Sequence, residues 1–180
     1  MVFPRARDVA AAADEARLSA DAFRYAAKLR TPFAVLGIVT DDDAVTAIRY
    51  LPMNERAMSQ RTPVARAAVD EIEQYLRDPG HRMDIPLRVT GTPFQKRVWQ
   101  AIGAIPLGES RTYAEVARSV RSSARAVGGA CGANRIAMVI PCHRVVGSAG
   151  SLGGFMNRAH GDPVAIKRWL LAHEGYRFGA

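Results

Sequence analysis

The sequence predicts a chain in two parts: an α/β unit over residues 1–88, built from a small antiparallel sheet plus a helix, then a mostly α unit over residues 89–180 that contains a helix-turn-helix. Three observations predict it. Two apolar, β-branched segments, Phe33 to Thr40 and Ala44 to Leu51, flank Asp41-Asp42-Asp43 and read as a hairpin. Thr62-Pro63 then opens a helical pattern. After Thr90-Gly91 the periodicity is helical, punctuated by short turns.

Taken in order, Asp8 to Leu29 is rich in Ala with interleaved charges. It is helix-prone but weakly striped, with Leu18, Phe23, Tyr25 and Ala26 as packing positions, and is expected to be a docked helix or a flexible extension. Behind Thr62-Pro63, Val64, Ala68, Ile72, Tyr75 and Leu76 recur at helical spacing until Asp78-Pro79-Gly80. A further strand is expected around Ile85 to Val89, completing a first unit with no visible chemistry. Thr92-Pro93-Phe94-Gln95 has capping-box spacing, and Phe94, Val98, Trp99 and Ile102 share one face of the helix that follows. Thr112-Tyr113-Ala114-Glu115 is a second capping box. Its helix turns at Arg121-Ser122-Ser123 into Ala124 to Asn134, the short-helix, turn, short-helix order of a helix-turn-helix. Asp162-Pro163 begins a last helix with Ile166, Trp169, Leu170 and His173 on one side.

Composition narrows the function. The 180 residues are 48% apolar, enough for a substantial core. An excess of 25 basic over 17 acidic residues, net +8, favours a polyanionic partner, nucleic acid first, although solubility alone accounts for such an excess. Cys131 and Cys142 are too few for a disulfide framework and have no metal-ligand spacing. Asp41 to Asp43 read as a solvated turn, and His160 as a solvent-facing loop residue. No metal or cofactor is expected. The start lacks the apolar core of a signal peptide and no stretch approaches a membrane span, so the protein is expected to be cytoplasmic.

Two stretches carry chemistry. From Ile136 an apolar run, short enough for a buried strand, is stopped by Pro141 and followed at once by Cys142 and His143. A thiolate is the good sulfur nucleophile, and a neighbouring base raises its population near neutral pH. Because neighbours on an extended segment face opposite ways, His143 is expected to reach Cys142 through a turn or a bridging water. The competing assignment is a buried structural Cys beside a hydrogen-bonded His.

The second stretch is the helix from Ala124. Ala124, Ala126, Gly128, Gly129, Ala130, Gly132 and Ala133 give it almost no side-chain bulk, and each interior Gly costs about 1 kcal/mol relative to Ala. Either dense helix packing or close approach to nucleic acid offsets that cost. Arg125, a long cation at the start of a bald helix, favours a probe into the duplex over a phosphate contact or salt bridge.

The string Ile140-Pro141-Cys142-His143-Arg144-Val145-Val146-Gly147, preceded by Arg125-Ala126-Val127-Gly128-Gly129-Ala130 and by Asn134, resembles the active-site signature of the O6-alkylguanine-DNA alkyltransferases, the methylated-DNA-protein-cysteine methyltransferases. Similarity runs from about Gly91 to Gly175, and more weakly through the segment before it. The resemblance implies a ribonuclease-H-like first domain, and an enzyme that flips O6-alkylguanine out of duplex DNA and moves the alkyl group irreversibly to its own Cys142. O4-alkylthymine is a second candidate substrate.

By the same resemblance Cys142, His143 and Glu174 form a Cys-water-His-Glu relay, and the Tyr113 phenol faces the flipped purine. Arg125 enters the stack where the base leaves, with Ala124, Ala126, Gly128, Tyr113 and Ser148 along the DNA. Gly147 to Phe155 matches the substrate loop, so Val145, Phe155 and Met156 line the pocket, while Asn134 and Arg144 are structural. Phe155 stands where many relatives carry Tyr, and Met156 to Asp162 is several residues longer than in short members. The implied partner is double-stranded DNA containing alkylated guanine, bound by a monomer with no membrane contact. Two other classes remain: a lesion-binding helix-turn-helix protein that signals without repair, and a cysteine hydrolase.

Overall fold

Strands β1 (Ala27–Arg30), β2 (Val35–Thr40) and β3 (Val45–Leu51) form an antiparallel sheet in that order, with Leu29 opposite Leu36 and Ile38 opposite Ile48. The computed structural model describes residues 25–149, 151–156 and 162–178. The expected hairpin is β2-β3, its turn held by Asp41, whose carboxylate accepts from Ala44 N at 3.0 Å. The helix-prone stretch lies outside the described residues except for its end, where β1 replaces helix. Pairing with β2 overrides local propensity there. Tyr25 and Ala26 are buried as expected, and Tyr25 lies across the sheet so closely that a Cβ on Gly37 would sit 2.5 Å from its ring.

Helix α1 (Pro63–Arg77) covers the sheet through Ala65, Ala68, Val69, Ile72 and Tyr75, with Thr62 capping Ala65 N at 3.1 Å. Val64 and Leu76 sit at the margin of that face. The strand expected at Ile85 to Val89 is reduced to one bridge, Val45 to Leu87, bonded through Pro86 O and Arg88 N. Pro86 has no N–H, so the ladder has nothing to continue with.

The remainder is helical. Both capping boxes are made, Thr92 with Gln95 at the start of α2 (Pro93–Gly103) and Thr112 with Glu115 at the start of α3 (Tyr113–Ser119). Val120 to Ser123 turn α3 into α4 (Ala124–Gly132), Arg121 adopting a positive φ of 53°. Trp99 on α2 donates its indole N–H to Ala130 O at 2.8 Å, fixing α4 against α2. A two-residue parallel pair that the sequence did not announce, β4 (Arg111–Thr112) with β5 (Val145–Val146), joins the base of α3 to the segment after Cys142. Helix α5 (Asp162–His173) closes the chain.

One continuous apolar core runs from Leu36, Ile38 and Ile72 through Val98 and Ile102 to Leu170. Ile48 N donates to Arg135 O at 2.8 Å, seating the sheet on the segment that leads to Cys142. Among the described residues no helix is long and apolar enough to cross a membrane.

Candidate active site

The run Ile136 to Ile140 is buried as expected at its start but is not a strand. It folds into a turn closed by Ile140 N donating to Ile136 O at 3.0 Å, with Met138 at a φ of 82°. Asn134 is the cause. Its side chain accepts from Ile136 N at 2.9 Å and donates to Ile140 O at 2.9 Å, so one amide replaces the partner a strand would need. The same nitrogen lies 3.2 Å from Cys142 Sγ. Asn134 therefore both shapes the loop and touches the thiol. Cys142 to Arg144 then form a single 3-10 turn.

That turn sends Cys142 and His143 to different neighbours. His143 is fully buried, and its Nε2 donates to Glu174 Oε1 at 2.9 Å. Its Nδ1 is buried with no protein partner among the described residues. Glu174 is gripped from three sides: Arg144 donates Nε to Oε2 at 2.7 Å and Nη2 to Oε1 at 2.9 Å, and the Tyr75 hydroxyl donates to Oε1 at 2.9 Å. Burial works to raise the Glu174 carboxyl, but the bonds from His143 and Arg144 overrule it and hold it at about 2. Because Glu174 is a firm acceptor, Nε2 carries the proton and Nδ1 presents a lone pair. Burial, only partly opposed by Glu174, keeps the imidazole less basic than a free one. His143 is a neutral ring poised to take one proton.

Cys142 is 3% exposed. Burial raises its pKa, while the Asn134 amide and the Lys167 ammonium pull it down. Lys167 is one residue that sequence reasoning missed. It is fully buried on α5, donating to Val145 O at 2.5 Å and Gly154 O at 3.1 Å, with its ammonium 5.5 Å from the centre of the Tyr113 ring. Burial lowers its pKa to about 8. Its signal in the sequence is weak: Lys167 lies beside Ile166, Leu170 and Leu171 on the helix, but a lysine next to such a stripe ordinarily carries its ammonium out to water. The other cysteine, Cys131 on α4, is pushed up to about 12 by burial and is held as a thiol.

Tyr113 stands at the mouth of this cluster, its hydroxyl donating to Gly154 O at 3.1 Å. Gly153, at a φ of 66°, has no room for a side chain, since a Cβ there would meet the Tyr113 ring at 2.8 Å. Phe155 is buried and meets Tyr50 edge-on at 6.1 Å, so it packs toward the sheet, while Val145 is buried beside Lys167 and Met156 is half-buried. Ser148 is exposed, its carbonyl accepting from Ser151 N at 3.1 Å. Residues 157–161, with His160, lie outside the described residues. No group of three or more His, Cys, Asp and Glu side chains among the described residues is arranged to hold a metal ion.

On α4, Ala124 and Arg125 are exposed, Ala126 and Gly128 half-buried, and Val127 and Ala130 buried. The glycines separate the two explanations for a bald helix. A Cβ on Gly128 would lie 4.0 Å from Tyr113, and one on Gly129 would meet nothing within 4 Å. Packing inside the protein does not require Gly129. Its smallness leaves open space outside the helix.

Comparison with known proteins places this arrangement in a family. Residues 93–176 match the model of the 6-O-methylguanine DNA methyltransferase, DNA binding domain. A methylated-DNA–protein-cysteine methyltransferase of Mycobacterium tuberculosis is 37% identical over 153 residues, 82% of this chain and 90% of that protein. The crystal structure of the Mycobacterium tuberculosis O6-methylguanine methyltransferase superposes with a TM-score of 0.70 at 34% identity, covering 82% of this chain and 90% of the other. A structure of Mycobacterium tuberculosis OGT in complex with DNA gives 0.68 at 35% identity, with the same coverage.

Proposed function

The chain belongs to the methylated-DNA–protein-cysteine methyltransferase family, and from that premise we propose that it repairs O6-alkylguanine in duplex DNA by moving the alkyl group to its own Cys142. The observation that carries the proposal is the bond from His143 to a Glu174 already held by Arg144. It leaves the unpaired Nδ1 as the proton acceptor on the residue next to Cys142.

The thiol proton passes through one water to His143 Nδ1, and Glu174 stabilises the imidazolium that forms. A sulfur electron pair attacks the alkyl carbon as the carbon–O6 bond breaks. Its electrons remain on guanine, which leaves as an anion that accepts a proton from its surroundings. Lys167 offers positive charge beside the forming thiolate, and the Tyr113 phenol faces the purine once it exchanges Gly154 O for that partner. The thioether has no good leaving group, so the protein acts once.

A thiol 3% exposed cannot reach O6 in a stacked base, so the nucleotide is extruded. We assign α3 and α4 as a helix-turn-helix whose bald face enters the minor groove, with Arg125 filling the gap. Ala124, Ala126, Gly128 and Ser148 approach the backbone, and Val145, Phe155 and Met156 line the pocket. Residues 89–180 make up the acceptor domain and residues 1–88 its ribonuclease-H-like companion, working as a monomer. The same pocket is proposed to admit O4-alkylthymine. A lesion-signalling protein needs no nucleophile, and a hydrolase needs a covalent intermediate that water can cleave, which an alkyl thioether is not.

Incubation with O6-methylguanine duplex should add one methyl mass to the Cys142 peptide and to no other. Cys142→Ala should lose transfer entirely and keep DNA binding. Turnover well beyond one event per protein would overturn the stoichiometric mechanism.

A further inference from the structure

Among the described residues only two buried side-chain polar atoms have no hydrogen-bond partner, His143 Nδ1 and the hydroxyl of Tyr50. The first is accounted for by the proposed relay. The second lies on β3, far from it in sequence and in the unit whose sequence shows no chemistry of its own. A buried hydroxyl left unpaired costs on the order of 1–3 kcal/mol, and a phenylalanine would fill the same slot without it. An orphan of this kind at a functional site calls for a specific account.

The surroundings of Tyr50 supply one. Its ring is held at 6.1 Å by Phe33, stacked, and at 6.1 Å by Phe155, edge-on. Its strand is fastened two residues earlier by Ile48 N to Arg135 O, at the start of the loop that carries Cys142. The ring is thus wedged between the sheet and the substrate loop, with its oxygen turned inward. Burial holds the Tyr50 phenol far above its ordinary pKa, and negative charge at Cys142 raises it further; Tyr75, on the helix that covers the sheet, donates to the same Glu174 oxygen as His143. Tyr50 therefore stays a hydroxyl, a donor, beside the group whose proton must leave.

Tyr50 makes no direct hydrogen bond to sulfur, and polar groups beyond direct reach can be joined through one water. Resting on the alkyl-transfer function above, we propose that the Tyr50 hydroxyl is a positioning residue of the proton relay, donating to the water that connects Cys142 Sγ with His143 Nδ1. Before transfer that water accepts from the S–H and from Tyr50 and donates to Nδ1. One proton leaves sulfur for the water as another leaves the water for Nδ1. Afterwards the water accepts from the imidazolium N–H and from Tyr50 and donates to the thiolate. The donation from Tyr50 polarises the water toward sulfur, so it favours the thiolate state. A residue of the first unit thereby acts on chemistry performed in the second.

Other groups lie around Cys142 on the neighbouring elements: Lys167 on α5, Cys131 on α4, Tyr113 on α3 and Asn134 just after α4, while His143 on its own turn is bonded to Glu174 at the end of α5, which Arg144 also holds. Lys167, at about 8, titrates in the working range, so the test compares profiles rather than single values. Tyr50→Phe removes the oxygen and keeps the ring. Its Cys142 thiol pKa, read as iodoacetamide labelling of the Cys142 peptide against pH, should rise by about one unit, slowing transfer from methylated duplex near neutral pH by about tenfold. Raising the pH should restore the rate, with DNA affinity unchanged and melting temperature not lowered. An unmoved pH profile with a higher melting temperature would make the hydroxyl a structural leftover, and a pH-independent loss with a lower melting temperature would make it a packing group. Either result overturns the inference. Wild-type protein that never acquires methyl on Cys142 would instead overturn the function on which it rests.

Discussion

The cluster around Glu174 and the face of α4 handle charge in opposite ways. At Glu174 a carboxylate is almost sealed from water and receives hydrogen bonds from His143, Arg144 and Tyr75. On α4, Arg125 is exposed and has no ion pair or hydrogen bond among the described residues. A closed network of buried charge resists the loss of any member, because the partner left behind is desolvated and unpaired. An exposed, unpartnered cation contributes little to the fold and is free for an external anion. Under the proposed function the contrast divides residues assigned to prepare the thiol from residues assigned to meet DNA, and substitutions test it.

The largest effect is expected for Glu174→Gln. It removes the charge that faces Arg144 and His143, which should cost about 3 kcal/mol of stability and slow alkyl transfer at least about 100-fold. Its pH dependence has a definite sign. Glu174 is held at about 2 when folded, below the ordinary value of about 4.3 when unfolded, so its contribution is complete above pH ~4.3 and lost as pH falls toward 2. Denaturant melts of both proteins should differ most above that window and converge below it. A constant gap across the window would show that the charge was not responsible.

Arg125→Ala should do the reverse. Stability should stay within about 0.5 kcal/mol, because the side chain is exposed and unpaired. Repair of methylated duplex at saturating protein should fall roughly tenfold or more, while reaction with the free alkylated base, which needs no extrusion, stays near wild type. A phosphate contact alone would lower DNA affinity and reduce the salt slope by about one, with saturated repair intact. That result would sink the assignment of Arg125 as the inserted residue, and with it the division between the two regions.

The two regions also differed in how far the sequence exposed them. Cys142, His143 and Glu174 were expected as a group, with Asn134 and Arg144 as structural residues; the fold bonds His143 and Arg144 to Glu174 and sets the Asn134 amide on the Cys142 thiol. Lys167, Tyr50 and Tyr75 were missed for one reason. A lysine in a helix and a tyrosine in an amphipathic segment fit ordinary surface or packing patterns, and only tertiary placement shows where their polar ends point. Secondary structure failed where one residue overruled its neighbours: Asn134 bent the apolar run into a turn, Pro86 ended a strand after one bridge, and pairing with β2 drew Ala27 to Arg30 out of a helical pattern. Caps were read correctly because a cap is local, written within four residues.

The smallest effect lies where the sheet unit touches the closed network. Tyr75 is held from two sides, its hydroxyl on Glu174 Oε1 and its carbonyl bonded by His173 Nε2 at 2.8 Å, with the two rings edge-on at 5.2 Å. Tyr75→Phe keeps the ring contact and the backbone bond and removes one of the donors on Glu174. Since Arg144 and His143 remain, no charge is stranded, and the loss should be about 1 kcal/mol, the ordinary net worth of a hydrogen bond. Transfer should slow by no more than a few-fold, because Nε2 of His143 still finds its acceptor. The more telling measurement is acid unfolding. With one donor fewer, Glu174 takes up its proton at a higher pH, so the acid transition of the variant should begin earlier, though less so than in a variant missing Arg144. If the transition keeps its wild-type midpoint, Tyr75 packs against the network without sharing in its electrostatics, and the line between the sheet unit and the chemistry lies before Tyr75.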